Sequence, residues 1–335
     1  MTSGVTGAAV RVAFAGVFAG HVADRVRARL QVPYEVVLGD ERTILSRLGD
    51  VDVLVSLAFT REMAAASPRL KLVQVPGAGL DRIDRAALGP DTALANAYGH
   101  DVGIAEYVIG AMLVCARDFC RIDASLRRGQ WESVWSGAPV PLWSELAGKT
   151  LGILGYGRIG QAVARRALAF DMEVLATRRD PAQPDPHRLV FLRGPEALDE
   201  VLGRADYLAI TLALTPDTRG LIGPRRLGLM KPTAVLINVA RGEVVDEDAL
   251  YQTLSRGGIR AAALDVWYRY PSGGAPTHPG NRPFHTLPNV LMTPHVSGWT
   301  EGMMESRAAV IAENIHRVAR GEAPVNRVHR DAGGA

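Results

Sequence analysis

The run Gly155-Tyr156-Gly157-Arg158-Ile159-Gly160 constrains this chain more than any other stretch. It follows a short apolar segment, 151–154, and opens a helix-spaced segment, 159–170. That context predicts strand, tight turn and helix in succession, the beginning of a βαβ unit. Each glycine has a steric task there. Gly155 permits the turn, Gly157 lets a pyrophosphate approach the backbone, and Gly160 lets the helix pack closely on the strand. The helix N-terminus supplies unbonded N–H groups and the positive end of its dipole to the anion. Without its flanks the motif is also the pattern of an ordinary glycine-rich turn. With a strand before it and a helix after it, dinucleotide binding is the expectation.

The alternation extends along the chain. Nearly continuous apolar segments at 10–19, 51–59 and 71–75, separated by helix-spaced segments at 22–30 and 61–66, predict parallel strands covered on both faces. Beyond the glycine motif, strands are expected at 172–176, 207–212, 234–238, 261–265 and 289–292, and helices at 246–256 and 301–318. One long helix is expected over 103–128. Its Ile104, Tyr107, Val108, Ala111, Met112 and Val114 are too apolar for a one-sided surface helix, so it is buried on two sides, within the fold or against a second subunit. The expected fold class is α/β, two Rossmann-like βαβ domains with parallel sheets, and 335 residues suffice for both.

Composition narrows the partners. The 38 basic and 35 acidic residues leave a net charge of +3, too small to imply nucleic acid or a membrane surface, and the scattered arginines read as solvated surface. No run of 18 apolar residues occurs, so no membrane span is expected. Two cysteines, Cys115 and Cys120, exclude a disulfide framework and read as buried thiols. The first residues do not read as a signal peptide, and a reducing, cytoplasmic setting is expected.

The segment Thr177-Arg178-Arg179-Asp180 bears on the nucleotide. It lies about twenty residues past the glycines, where an acidic residue binds the ribose hydroxyls of NAD. Arg178 stands there instead, and a guanidinium suits the 2′-phosphate of NADP. NADP(H) is therefore favoured over NAD(H). The alternative is two solvated arginines with Asp180 on the ribose.

Several spaced motifs then carry a resemblance. These are Gly148-Lys149-Thr150-Leu151-Gly152, the glycine run, 214–222 with Thr215-Pro216, and 238–246 with Val239-Ala240-Arg241-Gly242. Asp265-Val266 and Thr293-Pro294-His295-Val296-Ser297-Gly298 complete them. In this order they resemble the D-isomer-specific 2-hydroxyacid dehydrogenases. The resemblance implies hydride transfer between a nicotinamide coenzyme and a small 2-oxo or D-2-hydroxy acid. It implies a substrate domain of 1–98 with 300–335, a coenzyme domain of 99–299, a substrate cleft between them, and a homodimer through the helix near Gly103. Arg241 resembles the arginine that grips the carboxylate and carbonyl oxygen of a small anionic substrate. Charge builds on that oxygen as hydride arrives, and a planar cation stabilises it. An arginine bridging loops is the alternative.

His295 resembles the acid/base, since an imidazole near neutral pKa can give a proton to the nascent alkoxide and retrieve it. Val75-Pro76-Gly77-Ala78-Gly79 resembles the loop whose N–H groups bind the substrate carboxylate, its two glycines permitting an anion nest. Asp265 resembles a residue that bonds nicotinamide or orders the site. Thr215, Pro216, Val239, Ala240 and Gly298 fall in motifs alongside the coenzyme.

The chain departs from the family at one place. Glu usually stands five residues after the aspartate, paired with the catalytic histidine, and here Tyr270 takes its position. A carboxylate raises a histidine pKa and fixes its tautomer, whereas a phenol is neutral near pH 7. Three readings follow: a reductase whose Tyr270 orients His295, a dehydrogenase of an unusual small oxyanion such as formate, phosphite or a phosphonate, or a non-catalytic nucleotide-sensing interaction protein. The long segment 271–288, rich in Pro and Gly, follows directly and is expected to shape the cleft.

Overall fold

The computed structural model describes residues 9–137, 140–271 and 275–328. The chain divides into two compact units, residues 1–100 with 299–335, and residues 101–298. The first unit begins with β1 (Val10–Ala15), α1 (Val17–Arg27), β2 (Tyr34–Gly39), β3 (Val53–Ser56), α2 (Arg61–Ala66), β4 (Leu72–Gln74) and β5 (Ala93–Ala95). The second runs α3 (Asp101–Arg117), α4 (Phe119–Arg127), β6 (Thr150–Leu154), α5 (Arg158–Leu168), β7 (Glu173–Thr177), β8 (Phe191–Arg193) and α6 (Leu198–Arg204). It continues with β9 (Tyr207–Ile210), α7 (Pro224–Leu227), β10 (Val235–Asn238), α8 (Glu247–Ser255), β11 (Ala261–Leu264) and β12 (Val290–Met292). The chain then returns to the first unit with α9 (Glu301–Arg320).

Both units are α/β with parallel sheets. The first has the strand order β2-β1-β3-β4-β5 and the second β12-β11-β10-β9-β6-β7-β8. In the first, alternate residues of one strand feed opposite faces. Val12 and Phe14 pack with α1 and α9, while Ala13 joins Ile44, Leu48 and Met63 on the other side. In the second, Leu151 and Ile153 face α3 and α5, and Leu154 faces Leu198, Val201 and Leu202 of α6. Covered on both faces, these strands need no polar alternation, hence their continuous apolar runs.

Several expectations are corrected. The apolar run 10–19 is two elements, because Gly16 at φ +90° ends β1 and α1 begins at Val17. The single long helix is broken at Asp118, whose φ is +53°, giving α3 and α4. Ile104, Val108 and Met112 of α3 are buried in the unit's own core. Cys115 is partly covered, and burial pushes its thiol up to about 11, but Cys120 is exposed. Segment 271–288 is tied down where described: Tyr268 and Arg269 N–H groups donate to the Pro279 carbonyl at 3.1 and 2.9 Å, and Phe284 is buried against Tyr251 and Tyr268. Its residues 272–274 lie outside the described residues. No helix among the described residues is long and apolar enough to cross a membrane.

Candidate functional site

In the second unit the sheet order reverses direction of travel between β6 and β9, and in open α/β sheets a ligand binds at the carboxyl ends of the strands at such a switch point. Gly155 stands there at φ +101°, and a Cβ on it would meet Leu212 N and Thr211 C at 3.0 Å. The Thr211 hydroxyl donates to the Gly155 carbonyl at 2.7 Å, and the N–H groups of Gly155 and Tyr156 donate to the Thr177 carbonyl at 3.0 and 2.9 Å. These bonds tie the turn to both neighbouring strands. Gly157 caps α5 without any side-chain bond and has nothing within 4 Å of a would-be Cβ. A Cβ on Gly160 would lie 2.4 Å from the Gly155 carbonyl oxygen. An open approach at Gly157, an uncapped eleven-residue helix carrying Arg158 and Ile159 in its first turn, and a close contact at Gly160 fit a dinucleotide pyrophosphate.

Tyr156 is buried, and its hydroxyl donates to Asp185 at 2.7 Å. Arg178 lies across the Tyr156 ring at 5.8 Å and donates to the carbonyls of Pro181, Gln183 and Pro184. Arg179 is exposed beside it, and Asp180 caps the Ala182 N–H at 3.1 Å. Thr215 and Thr218 bond each other in the loop beyond β9, with exposed Pro216 between them, and Val239 and Ala240 are buried past β10.

Arg241 follows immediately. Its guanidinium donates to the Ala240 carbonyl at 2.8 Å, and its own carbonyl accepts from Asn238 at 2.9 Å. Gly242 follows because the Trp267 backbone passes 2.5 Å from where a Cβ would be. Asp265 is fully buried, and three donors hold it: the Thr293 hydroxyl at 2.6 Å and the N–H groups of Val296 and Ser297 at 2.9 Å each. The same threonine meets the Tyr107 hydroxyl at 2.7 Å, and its carbonyl accepts from the Trp267 indole at 2.8 Å. Asp265 thus folds the turn that ends at Gly298 and presents His295 in the left-handed region, φ +60°. Few residues other than glycine adopt that conformation, and the buried Asp265 carboxylate, accepting from the two N–H groups that follow His295, holds it.

The Tyr270 hydroxyl lies 2.9 Å from His295 Nδ1 and accepts the Trp267 N–H at 3.3 Å. No partner is found for His295 Nε2 among the described residues. Protein atoms crowd the ring although it is exposed, and that crowding lowers the His295 pKa; Asp265 opposes this and Arg241 reinforces it. Burial raises the Tyr270 pKa, so the phenol stays protonated. Tyr270 and His295 are thus in direct contact, and the charge of Arg241 acts on both. Sequence reasoning missed Thr293, Tyr107 and Trp267 as supports.

In the first unit the loop 75–79 leaves β4. Gln74 donates to the Val75 carbonyl at 3.0 Å and accepts from Asn314 at 2.6 Å, while Ala97 N–H and the Asn96 amide hold the carbonyls of Gly77 and Ala78 at 3.1 Å. Neither Gly77 nor Gly79 has a positive φ, so the expected glycine-built nest is corrected to an ordinary loop. With Pro76 lacking a donor, the N–H groups of Gly77, Ala78 and Gly79 find no acceptor among the described residues. Arg307 of α9 is buried and corrects the reading of all arginines as solvated. The clue was its place on the stripe Met303, Met304, Ala308, Ile311.

Comparison with known proteins places these features. Residues 109–297 match the model for the D-isomer specific 2-hydroxyacid dehydrogenase NAD-binding domain. The chain is 38% identical over 305 residues to a D-3-phosphoglycerate dehydrogenase of Methanocaldococcus jannaschii, a match covering 88% of this chain and 55% of that one. It is 34% identical over 330 residues to a glyoxylate reductase of Pyrococcus furiosus, covering 90% and 91%. The chain thus spans about half the first relative's length and nearly all of the second's. Among solved structures, an NADPH-dependent glyoxylate/hydroxypyruvate reductase from Sinorhizobium meliloti, in complex with NADP and malonate, aligns with TM-score 0.79 and 27% identity over 96% of this chain and 98% of that one. The chain belongs to the D-isomer-specific 2-hydroxyacid dehydrogenases, oxidoreductases that pass hydride between a nicotinamide coenzyme and a 2-hydroxy acid.

Proposed function

We propose that this protein reduces a small 2-oxo acid to the D-2-hydroxy acid, with NADPH preferred over NADH. The observation that carries the reading is the Tyr270–His295 bond at 2.9 Å. It occupies Nδ1, fixes the ring plane and leaves Nε2 to face a carbonyl oxygen. His295 then gives its proton to that oxygen as charge develops, and takes it back in the reverse direction. Arg241 stabilises the oxygen and a carboxylate together. In the first unit the N–H groups of Gly77, Ala78 and Gly79, which have no acceptor among the described residues, are donors available to an anion. The turn at 155–160, with Thr177, Thr215, Pro216, Val239, Ala240, Asp265 and Gly298 around it, is the place for the coenzyme, which when bound supplies the hydride. Arg178 at the end of β7, where an acid would suit NAD, supports the phosphorylated coenzyme.

A second reading has its own support. No carboxylate is bonded to His295 among the described residues, so oxidation of formate, which gives up hydride and leaves as carbon dioxide with no proton to relay, suits the site as well. A screen of 2-oxo acids, formate and phosphite, followed by the absorbance of reduced coenzyme, separates the two. We also propose a homodimer in a reducing, cytoplasmic setting, supported by two free thiols and by the exposed apolar residues Trp131, Val134, Trp135 and Leu142. Light scattering at micromolar protein tests it, and a monomeric mass refutes it.

A further inference from the structure

Strand β11 ends at Leu264, and residues 265–270 form neither helix nor strand, so no ladder or helical turn places the Tyr270 phenol beside His295. The residues next to Tyr270 are bonded instead to the segment 279–284. The Pro279 carbonyl accepts the N–H groups of Tyr268 and Arg269, the two residues before Tyr270, at 3.1 and 2.9 Å. Buried Phe284 stacks on the Tyr268 ring at 6.2 Å. The Asn281 side chain accepts from the Arg269 guanidinium and donates to Glu247 at 3.2 Å. That segment is fixed in turn by the first turn of α8. The Glu247 carboxylate accepts the backbone N–H groups of Asn281 and Arg282, the second at 2.9 Å. Gly280 is buried, and a Cβ on it would lie 2.4 Å from a Glu247 oxygen. An acidic residue in the first turn ordinarily serves the dipole of its own helix. Glu247 is only partly exposed and is turned to a segment 34 residues away. Its neighbour Asp248 meets Arg282 at an exposed surface, where an ion pair contributes little.

Resting on the reading of His295 as the acid/base, we infer that Glu247 is a positioning residue for the reaction: by fixing residues 280–282 it holds the backbone at 268–269, and with it the Tyr270 hydroxyl against His295 Nδ1. A carboxylate in the place of Tyr270 would be drawn to an imidazolium by its charge. A phenol is not, and Tyr270 is 47% exposed, so its place depends on the backbone that carries it. Glu247 touches neither His295 nor Tyr270 and acts through the two chain segments between them.

The experiment measures kcat for 2-oxo acid reduction, and the nitrogen NMR signals of the His295 ring in protein labelled at histidine. It compares the wild type, Tyr270→Phe, Glu247→Ala, Glu247→Gln and the Tyr270→Phe, Glu247→Ala double variant. Glu247→Ala lowers kcat by up to about fivefold to tenfold, the loss of the Tyr270 bond itself, and moves the Nδ1 signal toward its position in Tyr270→Phe. In the Tyr270→Phe background the same replacement costs no further kcat, because the contact it serves is already gone. Glu247→Gln keeps one oxygen for the two backbone N–H groups and loses less than Glu247→Ala. A glutamate that only stabilised the fold would lower the midpoint of denaturant unfolding and leave kcat and the Nδ1 signal unchanged, and that result overturns the inference. Losses that multiply in the double variant overturn it as well. Should Glu247→Ala fail to fold, Gly280→Ala displaces the carboxylate while leaving it in the chain, and the same outcomes decide. If no 2-oxo acid is turned over, the functional reading fails separately, and the Nδ1 signal takes over. Its movement toward the Tyr270→Phe position supports the role of Glu247, and an unmoved signal overturns it.

Discussion

Replacing Tyr270 by Phe removes one oxygen atom and two hydrogen bonds, to His295 Nδ1 at 2.9 Å and from the Trp267 N–H at 3.3 Å. Tyr270 is 47% exposed, so water reaches the groups left behind and the stability loss stays near 1 kcal/mol. The catalytic loss differs in kind. A neutral hydrogen bond that holds the imidazole ring contributes about 1 kcal/mol, which lowers kcat roughly five- to tenfold with little change in coenzyme KM. The pH profile adds a signed test. Reduction requires the imidazolium, so its rate falls as pH rises through the His295 pKa. Crowding around the ring and the nearby Arg241 lower that pKa from the ordinary 6.5, which places the limb on the acid side of it. Tyr270→Glu supplies a carboxylate, and a hydrogen bond to a charged partner is about twice as strong as a neutral one. The imidazolium is favoured and the limb moves to higher pH. Steady-state rates of reduction across acid and neutral pH read both effects. An unchanged kcat in Tyr270→Phe, or a limb that stays in place in Tyr270→Glu, would refute the orienting role and leave Tyr270 as packing.

Arg178→Ala weakens NADPH by about 2 kcal/mol and NADH much less, read as Kd by fluorescence titration; equal losses count against the phosphate contact. Gly160→Ala drives a methyl to 2.4 Å from the Gly155 carbonyl, so the strand and helix must separate. It costs about 1–3 kcal/mol of stability, read by denaturant unfolding, and weakens both coenzymes together. Asp265→Asn puts an amide donor among the Thr293, Val296 and Ser297 donors. At least one is left unpaired in a buried place, which lowers stability by about 1–3 kcal/mol and loosens the turn that carries His295.

The sequence was most readable where local sterics decide the structure. The glycines at 155 and 160 are imposed by the turn and the helix contact, and Tyr270 stood out because its position in the motif calls for an acid. The strands β2, β5 and β8 were not readable: all three lie at sheet edges, β2 opens on two exposed residues, β5 is a short Ala-Leu-Ala stretch, and β8 has no buried residue. The break at Asp118 depends on a positive φ that no glycine marks. The supports of His295 were hidden for another reason. Tyr107 and Thr293 are 186 residues apart, and only the folded sheet brings them together. Arg307 was hidden by composition, because in a chain of many arginines its place on an apolar helix stripe drew no notice.

The most direct test of the account is turnover itself. Purified protein with NADPH is offered a panel of 2-oxo acids, and coenzyme oxidation and product chirality are followed for the wild type and Arg241→Met. The account predicts a D-2-hydroxy acid from the wild type and a loss of at least about a hundredfold in kcat/KM when Arg241 is replaced, the scale of removing one donor aimed at developing oxyanion charge. Tight NADPH binding with no reduction of any 2-oxo acid, or full turnover without the Arg241 guanidinium, would contradict it.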